Sequence, residues 1–213
     1  RAIYYWIANN IALDPKATRA GDNKKILPEE VIQLRKTTPL GFANLFQEMA
    51  SLATIRCLVV DGFVKYSAND INNKLDEVNH SWNVVQLGQS PETWFYVDVA
   101  KASGTLDEKM AVFSKQFTSE YFFADRRLFN LDHYPDNSAW LLGDEKRSEK
   151  EFYALPVIGN AAYSYGLQKP SPITGHIKTK TTTPVNFGFI HNAKKTISAI
   201  TLVMGEGSKQ TKS

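Results

Sequence analysis

The hydrophobic pattern of this chain changes from a helical period to a strand period between residues 38 and 66. Thr38-Pro39 is a helix start, because threonine caps a helix N-terminus well and proline suits the first turn. Behind it, Phe42, Phe46 and Met49 recur at helical spacing and share one face. The segment that follows is rich in valine and aromatic residues, which favour strands. The sequence therefore predicts a buried central helix followed by a sheet.

Three segments after this helix have the composition of strands and are bounded by polar loops. They are Ile55–Tyr66, His80–Leu87 and Thr93–Ala100. Before the central helix, apolar spacing predicts a helix over Ala2–Ala12 that Asp14-Pro15 ends, and a second helix over Pro28–Arg35. Helices followed by sequential strands predict an α+β fold with an antiparallel sheet.

The second half of the chain is less regular. The dense aromatic residues of the run 120–142 predict short helical turns packed over the sheet, and Leu167–Pro172 has the composition of a linker. Beyond it, Val185–Ile190 and Thr196–Met204 alternate like two strands of a β-rich segment. We therefore expect one domain over residues 1–168, then a linker and the start of a β-rich segment over residues 169–213.

Composition narrows the classes of function. The chain is 43% hydrophobic and 12% aromatic, so it can bury a substantial core, and it contains no apolar run near the roughly 20 residues of a membrane span. Residues 170–213 hold six lysines but no arginine, which argues against a nucleic-acid surface. The histidines and the single cysteine lack metal-ligand spacing, and no phosphate-binding glycine loop occurs, so we expect no metal and no cofactor.

His80 and Asp98 are the pair with the clearest chemical potential. If Gly88–Glu92 connect their strands, paired positions sum to 180 and Asp98 lies opposite Trp82. His80 and Asp98 are then diagonal neighbours on one face, roughly 7–8 Å apart at the backbone, within reach of their side chains. A carboxylate that orients an imidazole is two thirds of a nucleophile triad, although such a pair is more often a structural hydrogen bond.

Several ordered motifs resemble the transglutaminase-like superfamily, in particular its kyphoscoliosis-peptidase-like and cytokinesis-protein-like branch. The resemblance covers residues 2 to 166 and includes YYWIANNIALD, LRKTTPLGFANLFQEMASLATIRCLVVDGFVKY, HSWNVV, WFYVDVA and, further on, EYFFADRRLFNLDHYPDNSAWLL with EFYALP. The family histidine precedes Trp-Asn, as His80 precedes Ser81-Trp82-Asn83, and the family aspartate ends a W-x-x-V-D strand, as Asp98 does. The resemblance implies a papain-like core in which the central helix packs on the sheet.

The departure from this family is at the nucleophile. The motif places the catalytic cysteine at Pro39, with Thr37 and Thr38 before it, and proline has no nucleophilic atom. Cys57 lies in the strand IRCLVV, where a free cysteine usually behaves as a small buried hydrophobe. We interpret His133, in DHYP, as structural, and His176 and His191 as surface residues.

The leading hypothesis is a catalytically inactive transglutaminase-like module that binds a protein or peptide or acts as a scaffold in a multidomain protein. Trp82 and Asn83 would then wall the former substrate groove beside His80. One alternative is a thiol peptidase or acyltransferase with residual activity, using Cys57 or another group. A second alternative is a purely structural spacer. The resemblance also suggests export to the periplasm or the outside of the cell.

Overall fold

The computed structural model describes residues 1–213 except 25, 91–92, 108, 145, 160–161, 163, 181, 192–195, 201–202, 207–208 and 213. Its helices are α1 (Ala2–Asn10), α2 (Pro15–Arg19), α3 (Pro28–Leu34), α4 (Pro39–Leu52), α5 (Val99–Ser103), α6 (Arg126–Asp132) and α7 (Glu149–Ala154). Its strands are β1 (Ala12–Leu13), β2 (Lys36–Thr37), β3 (Cys57–Val64), β4 (His80–Gln86), β5 (Trp94–Val97), β6 (Gly104–Leu106), β7 (Phe113–Lys115), β8 (His133–Pro135), β9 (Leu167–Ser171), β10 (Gly188–His191), β11 (Val203–Glu206) and β12 (Lys209–Lys212).

The centre of the fold is a four-stranded sheet in the order β5-β4-β3-β8, with all neighbours antiparallel. One face packs on α1, α4 and α5, where Phe42 and Leu45 meet Val85 and Val97. The opposite face is covered by α6 and the aromatic residues around it. The prediction of an α+β fold, with a central helix against an antiparallel sheet, is confirmed.

Helix α4 begins where the sequence predicted. Thr38 has extended backbone angles and Pro39 takes the first helical position, which has no need of an N–H donor. Phe42, Leu45 and Phe46 are buried against the sheet. At 14 residues α4 is the longest of the described helices, and none of them has the length and apolar character needed to cross a bilayer.

The N-terminal helix is shorter than predicted. It ends at Asn10, because Ile11 turns extended and Ala12 and Leu13 pair in parallel with Lys36 and Thr37. Asp14-Pro15 therefore does not end this helix but starts the next one: an Asp14 carboxylate oxygen accepts a hydrogen bond from Ala17 N at 3.1 Å. The predicted second helix is present as α3.

The strand predicted over Thr93–Ala100 is only partly correct. It runs from Trp94 to Val97, and Val99 then starts α5. The change occurs because the side chain of Asp98 accepts a hydrogen bond from Lys101 N at 2.9 Å and so caps the helix. The register with β4 is the predicted one, since Asn83 pairs with Val97.

The second half departs most from prediction. The run 120–142 contains α6 but also β8, which joins the central sheet beside β3. The linker prediction is wrong, because Leu167–Ser171 form β9, antiparallel to β10. Of the strand predicted over Thr196–Met204, residues 196–200 have no regular structure, residues 201–202 lie outside the described part, and β11 starts at Val203. The division of the chain at residue 168 stays a prediction.

Gly62 allows the close approach of β8 to β3. A Cβ atom at this position would meet the carbonyl oxygen of Tyr134 and lie 2.6 Å from Cη2 of Trp82. We expect Gly62→Ala to lower the free energy of unfolding by about 1–3 kcal/mol, because rigid backbone must move to relieve the overlap. The matched control is Gly188→Ala, in β10, where a Cβ atom has open space. Urea unfolding of both variants checks this, and equal midpoints for the two would contradict it.

Candidate functional site

Asp98 is the centre of the site. It lies between the end of β5 and the start of α5, and its side chain is fully buried. One carboxylate oxygen, Oδ1, accepts the backbone N–H of Lys101, and the other, Oδ2, faces two imidazole rings. Burial alone would raise the pKa of Asp98, but the two histidines and their hydrogen bonds lower it well below its usual range. The carboxylate is therefore ionised.

His80 is the first of these two rings. It starts β4, is 4% exposed, and its Nε2 lies 2.6 Å from Asp98 Oδ2. The predicted hydrogen bond between the two side chains is confirmed. Because an ionised carboxylate only accepts, Nε2 of His80 carries the proton.

The other nitrogen of His80 is occupied by a phenol. Tyr66 OH lies 3.0 Å from His80 Nδ1, so with Nε2 protonated the phenol donates and Nδ1 accepts. Burial lowers the pKa of His80 and outweighs the raising effect of Asp98, which keeps this ring neutral. Burial, followed by the charge of Asp98, raises the pKa of Tyr66. In a triad, the imidazole nitrogen that does not bond the aspartate is the base that faces the nucleophile. Here that nitrogen is Nδ1, and a poorly acidic phenol occupies the position of the nucleophile.

His133 is the second ring on Asp98, and its role was missed from the sequence. Its Nε2 lies 3.0 Å from the same Oδ2, and its Nδ1 lies 2.5 Å from Asp132 Oδ1. Both partners are carboxylates, so both nitrogens donate and the ring is a cation. Burial lowers the pKa of His133, but Asp132 and Asp98 together raise it above its ordinary value.

The charges of this network balance. Two carboxylates, Asp98 and Asp132, face the His133 cation and Lys101, whose Nζ lies 3.6 Å from Asp132 Oδ2. Buried ions of this kind are tolerated only when each one is paired and hydrogen-bonded. The interpretation of His133 as structural is consistent with this geometry, but the residue is a direct partner of the site carboxylate.

Aromatic residues seal the network on the α6 side. The ring of Phe129 stacks on His133 with centroids 3.7 Å apart, and Trp82 packs edge-on against His133 at 5.2 Å. Trp82 and Asn83 were predicted to wall a groove, and this placement is wrong, because each is 1% exposed. Trp82 fills the core, and Asn83 Nδ2 donates to the carbonyl oxygen of Ala43 in α4 at 3.0 Å.

An open cleft of about 500 Å³ does lie beside His80. Thr38, Pro39 and Leu40 at the start of α4 form one side, and His80 and Ser81 form part of the other. Pro39, the position predicted for the nucleophile, therefore lines the same cleft as the imidazole of His80. Two hydroxyls next to Pro39 and His80 are engaged elsewhere: Ser81 Oγ donates to Asp61 at 2.6 Å, and Thr38 Oγ1 donates to Asn23 at 2.8 Å.

Cys57 lies far from this cleft. It is 8% exposed and pairs with Val85, whereas His80 pairs with Gly62 five residues further along β3. At about 3.4 Å per residue, that offset is roughly 17 Å. Burial raises the pKa of the Cys57 thiol to about 12, although a hydrogen bond with Asn83 opposes the rise. The prediction of a buried cysteine is confirmed.

His80, Asp98 and His133 form the one group with metal-ligand atoms close together among the described residues. Zinc ligands at about 2.0–2.1 Å in tetrahedral geometry stand about 3.3 Å apart, whereas His80 Nε2 and Asp98 Oδ2 are separated by 2.6 Å. The 2.6 Å separation, and the donation of a hydrogen bond by both nitrogens of His133, fit a chain of hydrogen bonds better than a bound metal ion. The expectation of no metal stays a prediction.

The two histidines should give stability a maximum near pH 6.5. The raised folded pKa of His133 contributes stability that is present below its unfolded pKa of about 6.5 and is lost as pH rises through the folded value. The lowered pKa of His80 makes the native state resist protonation, so stability also falls below about pH 6.5. Urea unfolding between about pH 5 and 8 measures this profile.

His133→Gln isolates the alkaline side of that profile. It should cost about 3–5 kcal/mol, because Asp98 and Asp132 lose their shared cation, and should remove the loss of stability above pH 6.5. The exposed His176, changed to Gln, is the matched control and should leave the profile unaltered. An alkaline limb that persists in His133→Gln would contradict the assignment.

Comparison with known proteins agrees with this geometry. Residues 1–99 match the family model described as "Transglutaminase-like superfamily". The chain is 29% identical over 205 residues to the kyphoscoliosis peptidase of Mus musculus, which covers 92% of this chain and 31% of that protein. It is 26% identical over 174 residues to cytokinesis protein 3 of Schizosaccharomyces pombe, covering 79% of this chain and 18% of that protein.

A third relative is the Lim and transglutaminase domain protein ltd-1 of Caenorhabditis elegans, 24% identical over 189 residues, with 78% of this chain and 24% of that protein covered. The chain thus spans about a third or less of the length of these relatives. The family match ends just after Asp98, so it includes the strands that carry His80 and Asp98 and the helix that starts at Pro39. Residues 1–99, which carry the start of the central helix, the antiparallel strands and the imidazole held by a buried aspartate, thus match the transglutaminase-like superfamily.

Proposed function

We propose that this chain is a catalytically inactive transglutaminase-like module that binds a peptide or protein segment in the cleft beside Pro39 and His80. The observation that carries the proposal is Pro39 at the start of α4, in the cleft that His80 lines. The base and its orienting acid are present, but a prolyl ring stands where the motif places the nucleophile. Binding is then the function that this cleft can still perform.

The groups that could replace a cysteine support the same proposal. Cys57 is buried about 17 Å along the sheet, with a thiol pKa raised to about 12. The hydroxyls of Ser81 and Thr38 already donate to Asp61 and Asn23. Tyr66 contacts the correct nitrogen of His80, but burial raises its pKa and disfavours the phenolate. A hydroxyl without an aligned base is a weak nucleophile at neutral pH.

The cleft has the size and chemistry of a recognition site. A volume of about 500 Å³ is within the range of protein ligand sites and admits one or two side chains. Its walls combine the apolar Leu40 and Val78 with charged residues of both signs, among them Arg19, Asp76 and Glu77. Such a mixture suits a peptide, which brings both backbone polar groups and side chains. The much greater length of the relatives fits a module within a larger protein.

Filling the cleft should abolish peptide binding. Leu40→Arg places a long cation at the start of α4, whereas Leu52→Arg, in the last turn of the same helix and 78% exposed, changes the charge equally outside the cleft. Peptides selected against the wild-type protein from a random library would be titrated by calorimetry. We expect Leu40→Arg to weaken binding at least about tenfold, the effect of about 1.4 kcal/mol, and Leu52→Arg to leave it unchanged. Equal affinities for both variants would contradict this assignment of the site.

Restoring cysteine at Pro39 should create a reactive thiol. The wild-type chain should show no thiol-sensitive peptidase or amine-crosslinking turnover. In Pro39→Cys, with Cys57→Ala as background, the thiol lies at the positive end of α4 and beside His80, and both lower its pKa below the roughly 8.5 of a free cysteine. Adding Tyr66→Phe should lower it further, because Nδ1 of His80 is then free to accept the thiol proton.

The pH dependence of iodoacetamide labelling measures that pKa. His80→Ala in the same background is the control and should return the midpoint towards 8.5. A midpoint near 8.5 that ignores both His80 and Tyr66 would mean that Pro39 does not mark the nucleophile position. Thiol-sensitive turnover in the wild-type chain would refute the proposal of an inactive module directly.

A further inference from the structure

A second cleft, between α6 and β9, has a chemistry that the transglutaminase-like site does not use. Its volume is about 500 Å³, and it is lined by Arg127, Leu128, Leu131, Arg147, Lys169 and Ile173, together with two further residues of β9. Three of these side chains are cationic and none is a carboxylate. The lining therefore has a formal charge of +3 within a small volume.

The cations come from separate elements and converge on the cleft. Arg127 lies on α6, Lys169 lies on β9, and Arg147 precedes α7. Arg127 and Lys169 are exposed and form no ion pair with a described carboxylate. Because like charges repel one another, bringing these cations together raises the electrostatic free energy of the empty cleft, and a bound anion would lower it.

Arg147 is held rigidly at the edge of this cleft. Its Nη1 donates to the carbonyl oxygen of Asn130 at 2.7 Å, and the Asn130 side chain is fixed by Tyr96 OH at 3.0 Å and by Leu142 O at 2.8 Å. A guanidinium carries five N–H donors and a permanent charge, so Arg147 can keep these contacts while its charge attracts a carboxylate or phosphate. Preorganisation of this kind lowers the entropic cost of binding.

Two acidic residues of the described part of the chain, Asp144 and Glu151, line a neighbouring cleft together with Arg147. The pKa of Glu151 is lowered by a hydrogen bond from the backbone of Ser148 and, to a smaller extent, by the charge of Arg147. Its Oε2 accepts from Ser148 N at 2.7 Å and from Ser148 Oγ at 2.8 Å. Neither Asp144 nor Glu151 lines the cleft between α6 and β9, where the described lining has three cations and no carboxylate.

The remaining lining is apolar. Leu128 and Leu131 are 5% and 6% exposed and belong to the core face of α6, whereas Ile173 is 50% exposed at the rim. Lys169 has a left-handed backbone, with φ of 49°, which is uncommon for a residue with a side chain. Strain of this kind persists where the surrounding structure holds a side chain in a required position.

We propose that this cleft binds a small organic anion, a carboxylate or phosphate head between Arg127, Arg147 and Lys169 with an apolar body on Leu128, Leu131 and Ile173. The head is recognised by charge-assisted hydrogen bonds and the body by burial of apolar surface. The site is independent of the cleft at Pro39, so either proposal can fail alone.

Calorimetry with the whole chain tests the chemistry of the ligand. The probes are octyl phosphate, octanoate, inorganic phosphate and octyltrimethylammonium, each below its micellar concentration. Both anionic amphiphiles should bind saturably, inorganic phosphate should bind at least about tenfold more weakly, and the cation should not bind. Absence of saturable binding by either amphiphile, or equal binding of inorganic phosphate, would overturn the proposal.

Variants locate the site. Arg127→Gln and Lys169→Gln should each weaken octyl phosphate binding by about tenfold, the usual effect of one lost charge-assisted hydrogen bond. Lys150→Gln, which removes an equal charge from an exposed residue outside the cleft, should have no effect. Methyl NMR signals of Leu128, Leu131 and Ile173 should shift on titration. Unchanged affinity in both cleft variants, or shifts elsewhere only, would refute the assignment.

Discussion

The carboxylate of Asp98 is the constraint on which the rest of this structure depends. It is fully buried and ionised, so the fold must bring donors and positive charge to it from distant segments. His80 arrives from β4, His133 from β8, and the amide of Lys101 from the helix that Asp98 itself caps. Losing any of these partners would leave the buried carboxylate with fewer hydrogen bonds or without its cation, which couples the sheet, α5 and β8 into one cooperative unit.

The sheet supplies the positions that this carboxylate requires. Gly62 lies between β4 and β8 in the sheet, paired with His80 on one side and with Pro135 on the other. Without a side chain there, β8 can approach closely enough for His133 to reach Asp98. Phe129 and Trp82 then exclude water from the network, which strengthens every hydrogen bond within it.

The same network fixes the position of the imidazole independently of any nucleophile. The bonds among Asp98, His80 and His133 stabilise the interior whether or not a nucleophile faces Nδ1, so this half of a triad contributes to folding. On the other side of the imidazole, Pro39 occupies the start of α4 and Tyr66 OH forms a hydrogen bond with Nδ1.

The sequence by itself determined the start of α4 at Pro39, the register of β4 with β5 and the pairing of His80 with Asp98, because local capping, strand parity and turn length specify all three. Motif resemblance indicated the family and predicts that Pro39 stands at the nucleophile position. Only the tertiary structure decided that His133 shares Asp98 and that β8 joins the sheet beside β3. A strand of three residues is too short to show an alternating hydrophobic pattern in the sequence. Which segment covers each face of a sheet depends on residues far away in the chain.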